Sequence, residues 1–142
     1  MRRAILLLAL LLSSCGTETH LASGDPLDAA LLETTPGPIY QYGALSTGQS
    51  STATFQVRNK GTLPASNLTG TFYLSRTFSY DGGYPGTGGT CGAALGGGET
   101  CTVIVTFSPQ QAGDNEQALA LSYNNGYSSK RTDLPLLRGR GL

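Results

Sequence analysis

Few residues in this 142-residue chain are equipped for chemistry, and their spacing limits what that chemistry could be. They are three cysteines (Cys15, Cys91 and Cys101), one histidine (His20) and nine acidic residues. A hydrolytic triad needs a histidine as base. His20 follows Cys15 by five residues, in a polar stretch where no pocket is expected. A Cys/His zinc site fails for the same reason: nine residues separate Cys91 from Cys101, and no further ligands stand at zinc-like spacing. The run Gly96-Gly97-Gly98-Glu99-Thr100 carries the glycines of a phosphate loop but lacks its lysine and opens a strand pattern. Paired-carboxylate chemistry would fall to Asp81, Glu99, Asp114 and Glu116. Asp114 and Glu116 flank an expected turn and read as solvated. Asp81-Gly82-Gly83 offers Ca²⁺ one carboxylate, where the ion takes about six to eight oxygens. The expectation is a protein without catalytic residues, metal or cofactor: not an enzyme.

Cys15 has a different setting. Arg2 and Arg3 precede a nine-residue apolar run, Ala4 to Leu12, and then Ser13-Ser14-Cys15. A basic start, a short apolar run and small residues make an export signal. The run is far shorter than the roughly 20 residues that span a bilayer. Leu12-Ser13-Ser14-Cys15 resembles the lipobox of bacterial lipoproteins. That resemblance implies removal of residues 1–14, diacylglycerylation of the Cys15 thiol and acylation of its new N-terminus. Cys15 would then be the membrane anchor. Gly16 is not the aspartate associated with inner-membrane retention in enteric bacteria, which points to the outer membrane or a periplasm-facing position. With Cys15 lipidated, Cys91 and Cys101 are left as an even pair in a compartment that permits disulfides, and they are expected to bond.

Composition excludes other partners. Nine basic and nine acidic residues balance, and loss of Arg2 and Arg3 leaves seven against nine, a net charge of −2. No basic stripe is present, so nucleic acid is not expected as a partner. Charged residues make up only 13% of the chain, while Gly, Ser and Thr abound. Such a composition suits strands and turns better than exposed helices.

The elements that must position these residues are strands. Residues 15–37 read as a lipidated cysteine and flexible tether, in which Asp25 to Leu32 has room for a helical turn or two. From residue 38 to 142 the period is two. Ser51 to Asn59 places Ala53, Phe55 and Val57 on one face and Thr54, Gln56 and Arg58 on the other. Cys101, Val103, Val105 and Phe107 alternate with Thr102, Ile104 and Thr106 in the clearest strand. Further strands are expected over Ile39 to Gly43, Leu68 to Leu74, Gln117 to Tyr123, Tyr127 to Arg131 and Leu134 to Arg138, with Asn125-Gly126 as a hairpin signal. About seven short strands with no helical periodicity predict an all-β antiparallel sandwich. A small closed barrel is the alternative.

Certain residues recur in a fixed order. Tyr42-Gly43 comes first, then Asn59 and Gly61 with Pro64 and Ala65. Cys91, Leu95, Gly98, Cys101, Val105, Phe107, Pro109 and Gly113 follow, then Leu119 and Leu121, and finally Leu137, Gly139 and Gly141. The ordered set resembles the Hydin-like immunoglobulin-like domains (abnormal-spindle/Hydin, or choice-of-anchor D) and covers roughly Pro38 to Leu142. The resemblance implies an immunoglobulin-like sandwich and a general role in protein interaction, with no catalytic residues.

One segment departs from that pattern. Residues 79–90 form a Gly/Tyr-rich loop, and nine of the 17 residues from Gly82 to Gly98 are glycine. Tyr80 and Tyr84 lie there with Asp81, and two readings stand: exposed contact residues, or rings folded back over the sandwich. The loop is the favoured binding surface, with the edge of the first strand, Ile39 to Gly43, as its competitor. Leu134 to Arg138 is the other expected edge, guarded by Pro135 and two arginines. The functional expectation is a lipid-anchored, non-enzymatic interaction or scaffolding module of the cell envelope with an envelope protein as partner. The alternative is a surface adhesin or carbohydrate-binding module that uses the loop.

Overall fold

The computed structural model describes residues 26–72, 76–133 and 135–142. The leader, Cys15, His20, Tyr73, Leu74 and Leu134 lie outside the described residues. Eleven strands run in order: β1 (Leu32–Thr35), β2 (Ile39–Leu45), β3 (Ser51–Asn59), β4 (Ala65–Gly70), β5 (Phe78–Ser79) and β6 (Ala94–Leu95). Then come β7 (Thr100–Phe107), β8 (Gly113–Ala118), β9 (Leu121–Asn124), β10 (Ser129–Thr132) and β11 (Leu136–Gly141).

Alternation dictates the first sheet. β3 buries Ala53, Phe55, Val57 and Asn59 while β7 buries Cys101, Val103, Val105 and Phe107. The two pair antiparallel from Ser51↔Phe107 to Arg58↔Thr100, which puts both apolar sets on one face. β1 and β5 flank them, in the order β1-β3-β7-β5. Two smaller sheets, β10-β9-β4-β6 and β2-β11-β8, complete the fold. They add Leu68, Leu95, Leu119, Leu121, Tyr123 and Leu137 to one continuous core with Phe55, Phe78 and Phe107. Each large side chain removed from water stabilises the fold by about 1.5–3 kcal/mol. The result is the expected all-β, immunoglobulin-like sandwich.

Three expectations about the elements need correction. The first concerns the segment read as tether. Leu32–Thr35 pairs antiparallel with Gln56–Asn59, so the folded unit begins upstream of Pro38. Ala29, Ala30 and Leu32 are buried there. Leu63 N and Thr62 N both donate to Asp28 O, and Lys60 N donates to Leu31 O. Burial of three apolar side chains outweighs the cost of ordering this stretch, and the expected helical turns give way to a turn and a strand. The second concerns the final strand, which is not an edge: β11 lies between β2, parallel to it, and β8, antiparallel. Pro135 precedes the strand and so removes no ladder donor. Gly139 faces the Phe107 ring so closely that a Cβ would meet it. The third concerns Gln117 to Tyr123, which is two strands. The chain leaves β8 at Ala118 and enters β9 at Leu121, crossing between the smaller sheets through buried Leu119 and Ala120. β2 does lie at a sheet edge, paired as a strand only with β11 among the described residues.

Candidate interaction site

The Gly/Tyr loop does not stand away from the sandwich. The Tyr80 ring packs 4.8 Å from Phe72 and 5.5 Å from Tyr84, centroid to centroid, and both tyrosines lie against the core. Gly70 makes room for them: a Cβ there would strike the Tyr80 hydroxyl and the Tyr84 ring. Backbone bonds fasten the loop, with Ile104 N donating to Pro85 O at 2.8 Å and Thr87 N to Asp81 O at 2.9 Å. Gly86 approaches the Ile104 backbone so closely that only a residue without a Cβ fits there. The picture of two exposed aromatics on a pliable loop is therefore corrected to that of a cover strapped across the outer face of β7. Its cause is the packing of the two rings against the core, with Ile104 left half-buried. Burial pushes Tyr84 up to about 12 and holds Tyr80 well above the ordinary tyrosine range, with the neighbouring Tyr84 adding to the second effect. Asp81 alone of the three expected contact residues remains exposed.

Cys91 and Cys101 form a disulfide, with Cα atoms 4.8 Å apart. It ties the end of the cover to the start of β7. Beside it, Thr90 N donates to Thr102 Oγ1 and Thr102 N to Thr90 Oγ1, at 3.2 and 2.9 Å.

Three of the four acidic residues weighed for catalysis have side-chain partners within the fold. Asp114 and Glu116 stand on β8 opposite Arg140 and Arg138 of β11, and pair with them at 3.6 and 2.5 Å. Glu99 accepts from Gly96 N within its own turn. Among the described residues no group of three or more His, Cys, Asp or Glu is placed to hold a metal ion, and no helix is long and apolar enough to cross a membrane.

A groove along β1 was hard to foresee from the residues alone. It measures about 580 Å³ and runs between β1 and the end of β10, lined by Leu31, Leu32, Thr34, Pro38, Lys60 and Thr132 among others. β1 pairs with a strand on one side only, β3, among the described residues, although Leu32 N also donates to the Tyr123 hydroxyl. The hydroxyls of Thr34 and Thr132 are buried there without a hydrogen-bond partner. The hydroxyls of Tyr80, Tyr84 and Thr106 are likewise buried and unpartnered, away from the groove, although buried polar groups nearly always find partners. The only sequence signal was the short alternation Leu32-Glu33-Thr34-Thr35, cut off by Pro36.

At the closed end of the sandwich, Asn59 is fully buried and makes four side-chain hydrogen bonds. Its Oδ1 accepts from Leu31 N and Gly61 N, and its Nδ2 donates to Leu63 O and Leu95 O. One side chain thus joins the segment before β1, the turn after β3 and β6, and holds one wall of the groove in place.

Packed sheets, an aromatic-rich core and one disulfide make this an immunoglobulin-like β-sandwich. The chain belongs to the HYDIN/CFA65/VesB-like Ig-like domain family, whose model matches residues 37–136. Among solved structures it is similar to the ASH/PapD-like domain 7 of human CEP192, with 13% identity and a TM-score of 0.62 over 100% of this chain and 96% of that one. It is also similar to the VesB protease of Vibrio cholerae, with 19% identity and a TM-score of 0.56, covering 80% of this chain and 32% of the protease. At these identities the likeness is one of fold. Curated proteins include no match to the sequence.

Proposed function

We propose that the protein is a membrane-anchored lipoprotein of the bacterial cell envelope, held by lipid on Cys15, whose immunoglobulin-like domain is a non-enzymatic protein-interaction module. The observation that carries the interaction reading is the groove beside β1, with Thr34 and Thr132 hydroxyls buried and unpartnered at its wall. An extended segment of an envelope protein, laid along the outer side of β1, would supply main-chain partners to the strand edge and polar partners to the two hydroxyls. The adhesin or carbohydrate-binding alternative depends on Tyr80 and Tyr84 being presented to a ligand. Their packing against Phe72 and the core is why the groove is preferred.

Photo-cross-linking in intact cells tests this. A photoreactive residue replaces Glu33 or Asp133, both exposed at the groove, or Asp81 on the loop as a comparison. The same partner band from positions 33 and 133, absent from 81, is the expected result. A partner captured from 81 alone would move the site to the loop. Capture from none of the three would remove the interaction reading.

A further inference from the structure

Three exposed apolar side chains sit at one end of the sandwich: Leu27 is 85% exposed, Leu31 58% and Tyr127 54%. Hydrogen bonds fix them as one surface. Tyr127 Oη donates to the Asp28 carboxylate at 3.1 Å, Leu63 N to Asp28 O at 2.9 Å, and Ala30 N to Asn125 O at 2.9 Å. The turns at 26–29, 60–64 and 125–128 therefore share this end, and Leu63 lies beneath Gly126, within reach of any Cβ placed there. Large side chains that leave a fold this exposed and this close together mark a contact surface.

The path of the chain says what the contact is. The described domain begins at Pro26, within this same end, and Cys15 lies eleven residues upstream. Covalent geometry limits that span to roughly 40 Å. The opposite end, where Gly48 N bonds Pro109 O, lies farther off by the length of β3. That strand adds about 30 Å at some 3.3 Å per residue. An anchor on Cys15 would keep the end bearing Leu27, Leu31 and Tyr127 always within that span of the bilayer, a limit the far end does not have. Leucines with a tyrosine beside them are the side chains that settle at the lipid interface, apolar parts among acyl chains and the phenol at headgroup level. Charge does not point to another partner. Lys60 is paired with Glu33 at 3.6 Å and Asp28 with the Tyr127 hydroxyl, so no charged patch dominates.

We infer that this end docks on the bilayer, Leu27 and Leu31 inserting between headgroups with Tyr127 at their level. The inference rests on the lipoprotein reading for the orientation it needs. Docked this way, the domain lies against the membrane and the groove opening near Leu31 meets partners in or on the same leaflet.

The chain has no tryptophan, so a single one reports cleanly. Tyr127→Trp at the docking end and Gln110→Trp at the far end are prepared in the full chain and reconstituted in phosphatidylcholine vesicles, plain or brominated. Expected is quenching of the tryptophan at 127 by brominated lipid and none of that at 110, unchanged by added anionic lipid or salt. Leu27→Asp with Leu31→Asp should abolish the quenching while the anchored chain still floats with vesicles. In a chain that starts at Gly16, with neither leader nor lipid, only the patch holds, and each leucine change should lower vesicle partition roughly tenfold. Equal emission of the 127 probe on plain and brominated lipid, with or without the anchor, overturns the inference. So does a blue-shifted but unquenched probe, which would mean the chain itself or a second copy covers the patch; sedimentation tells those two apart. Fatty-acid labelling of Cys15 is read separately, so a missing anchor is distinguishable from an anchored domain that does not dock.

Discussion

Replacing Asn59 should cost more stability than any other polar change in the domain. The side chain is fully buried and saturates its hydrogen-bonding capacity with four backbone groups. Asn59→Ala would orphan Leu31 N, Gly61 N, Leu63 O and Leu95 O at once. The bonds to Gly61 N and Leu95 O are wholly buried, and each buried group left unpaired costs about 1–3 kcal/mol. The other two are partly buried and lose about 0.5–1.5 kcal/mol each. Water entering the space left by the amide returns part of this, so the net loss should be about 3–5 kcal/mol, against a total of about 5–15 for a typical domain. The melting temperature should fall by roughly 12–20 °C. Urea unfolding of both proteins gives the difference directly, with the slope m unchanged if the native compactness is the same. Asn59→Asp is the sharper comparison. It keeps the acceptor, loses both donors, and sets a carboxyl against the Leu63 and Leu95 carbonyls. Such a carboxyl is stable only when protonated, so its folded pKa is raised above the unfolded one. Stability is then retained below about pH 4 and lost as pH rises from there through the folded value. A loss below about 1 kcal/mol for Asn59→Ala, or an aspartate variant indifferent to pH, would refute the network as the closure of this end of the fold.

Three further outcomes follow from the same packing. Cys91→Ser with Cys101→Ser opens a ring of sequence separation 10 and should lower stability by about 2.5–3 kcal/mol on the chain-entropy account; unchanged thermal unfolding would refute that. Gly61→Ala places a Cβ against the Ala29 carbonyl, so it should release residues 26–31 and raise amide exchange at Leu32 and Lys60, whereas unaltered exchange would mean the segment is not docked. Tyr84, held near 12, and Tyr42 and Tyr80, held higher, are all raised chiefly by burial. A raised folded pKa means their contribution is intact below the unfolded value near 10 and lost as pH climbs above it. Melting should therefore be flat to about pH 9.5 and fall beyond; Tyr42, Tyr80 and Tyr84 themselves ionising near 10 in the folded protein, followed residue by residue by NMR, would contradict it.

How much of this could be read from the sequence depends on how local its cause is. The alternation in Ser51–Asn59 and Thr100–Phe107 is a property of neighbouring residues, and the buried apolar positions there were assigned correctly, while buried Asn59 was not. The Asn59-x-Gly61 turn was legible as a turn, but its role was not, because two of its partners, Leu31 and Leu95, are distant in sequence. The parallel pairing of β2 with β11 joins residues nearly a hundred positions apart and leaves no local trace. The strapped loop did leave one: Ile104 stands on an otherwise threonine-bearing face, and an outward isoleucine asks for a cover. Glycine richness read as pliability, yet here Gly70 and Gly86 are the positions where ring and backbone come too close for any Cβ. The groove was missed because a four-residue strand before Pro36 is shorter than any reliable period.

Localisation, partner and bilayer docking all depend on Cys15, and the intact mass of the mature protein purified from membranes tests that residue most directly. The proposal predicts a chain that begins at Cys15, carries the diacylglyceryl and acyl additions on that residue, and is lighter by the two hydrogens of the Cys91–Cys101 disulfide. Cys15→Ser should yield only the unprocessed, lipid-free chain. A wild-type chain that begins elsewhere, or that begins at Cys15 with a free thiol, would contradict it.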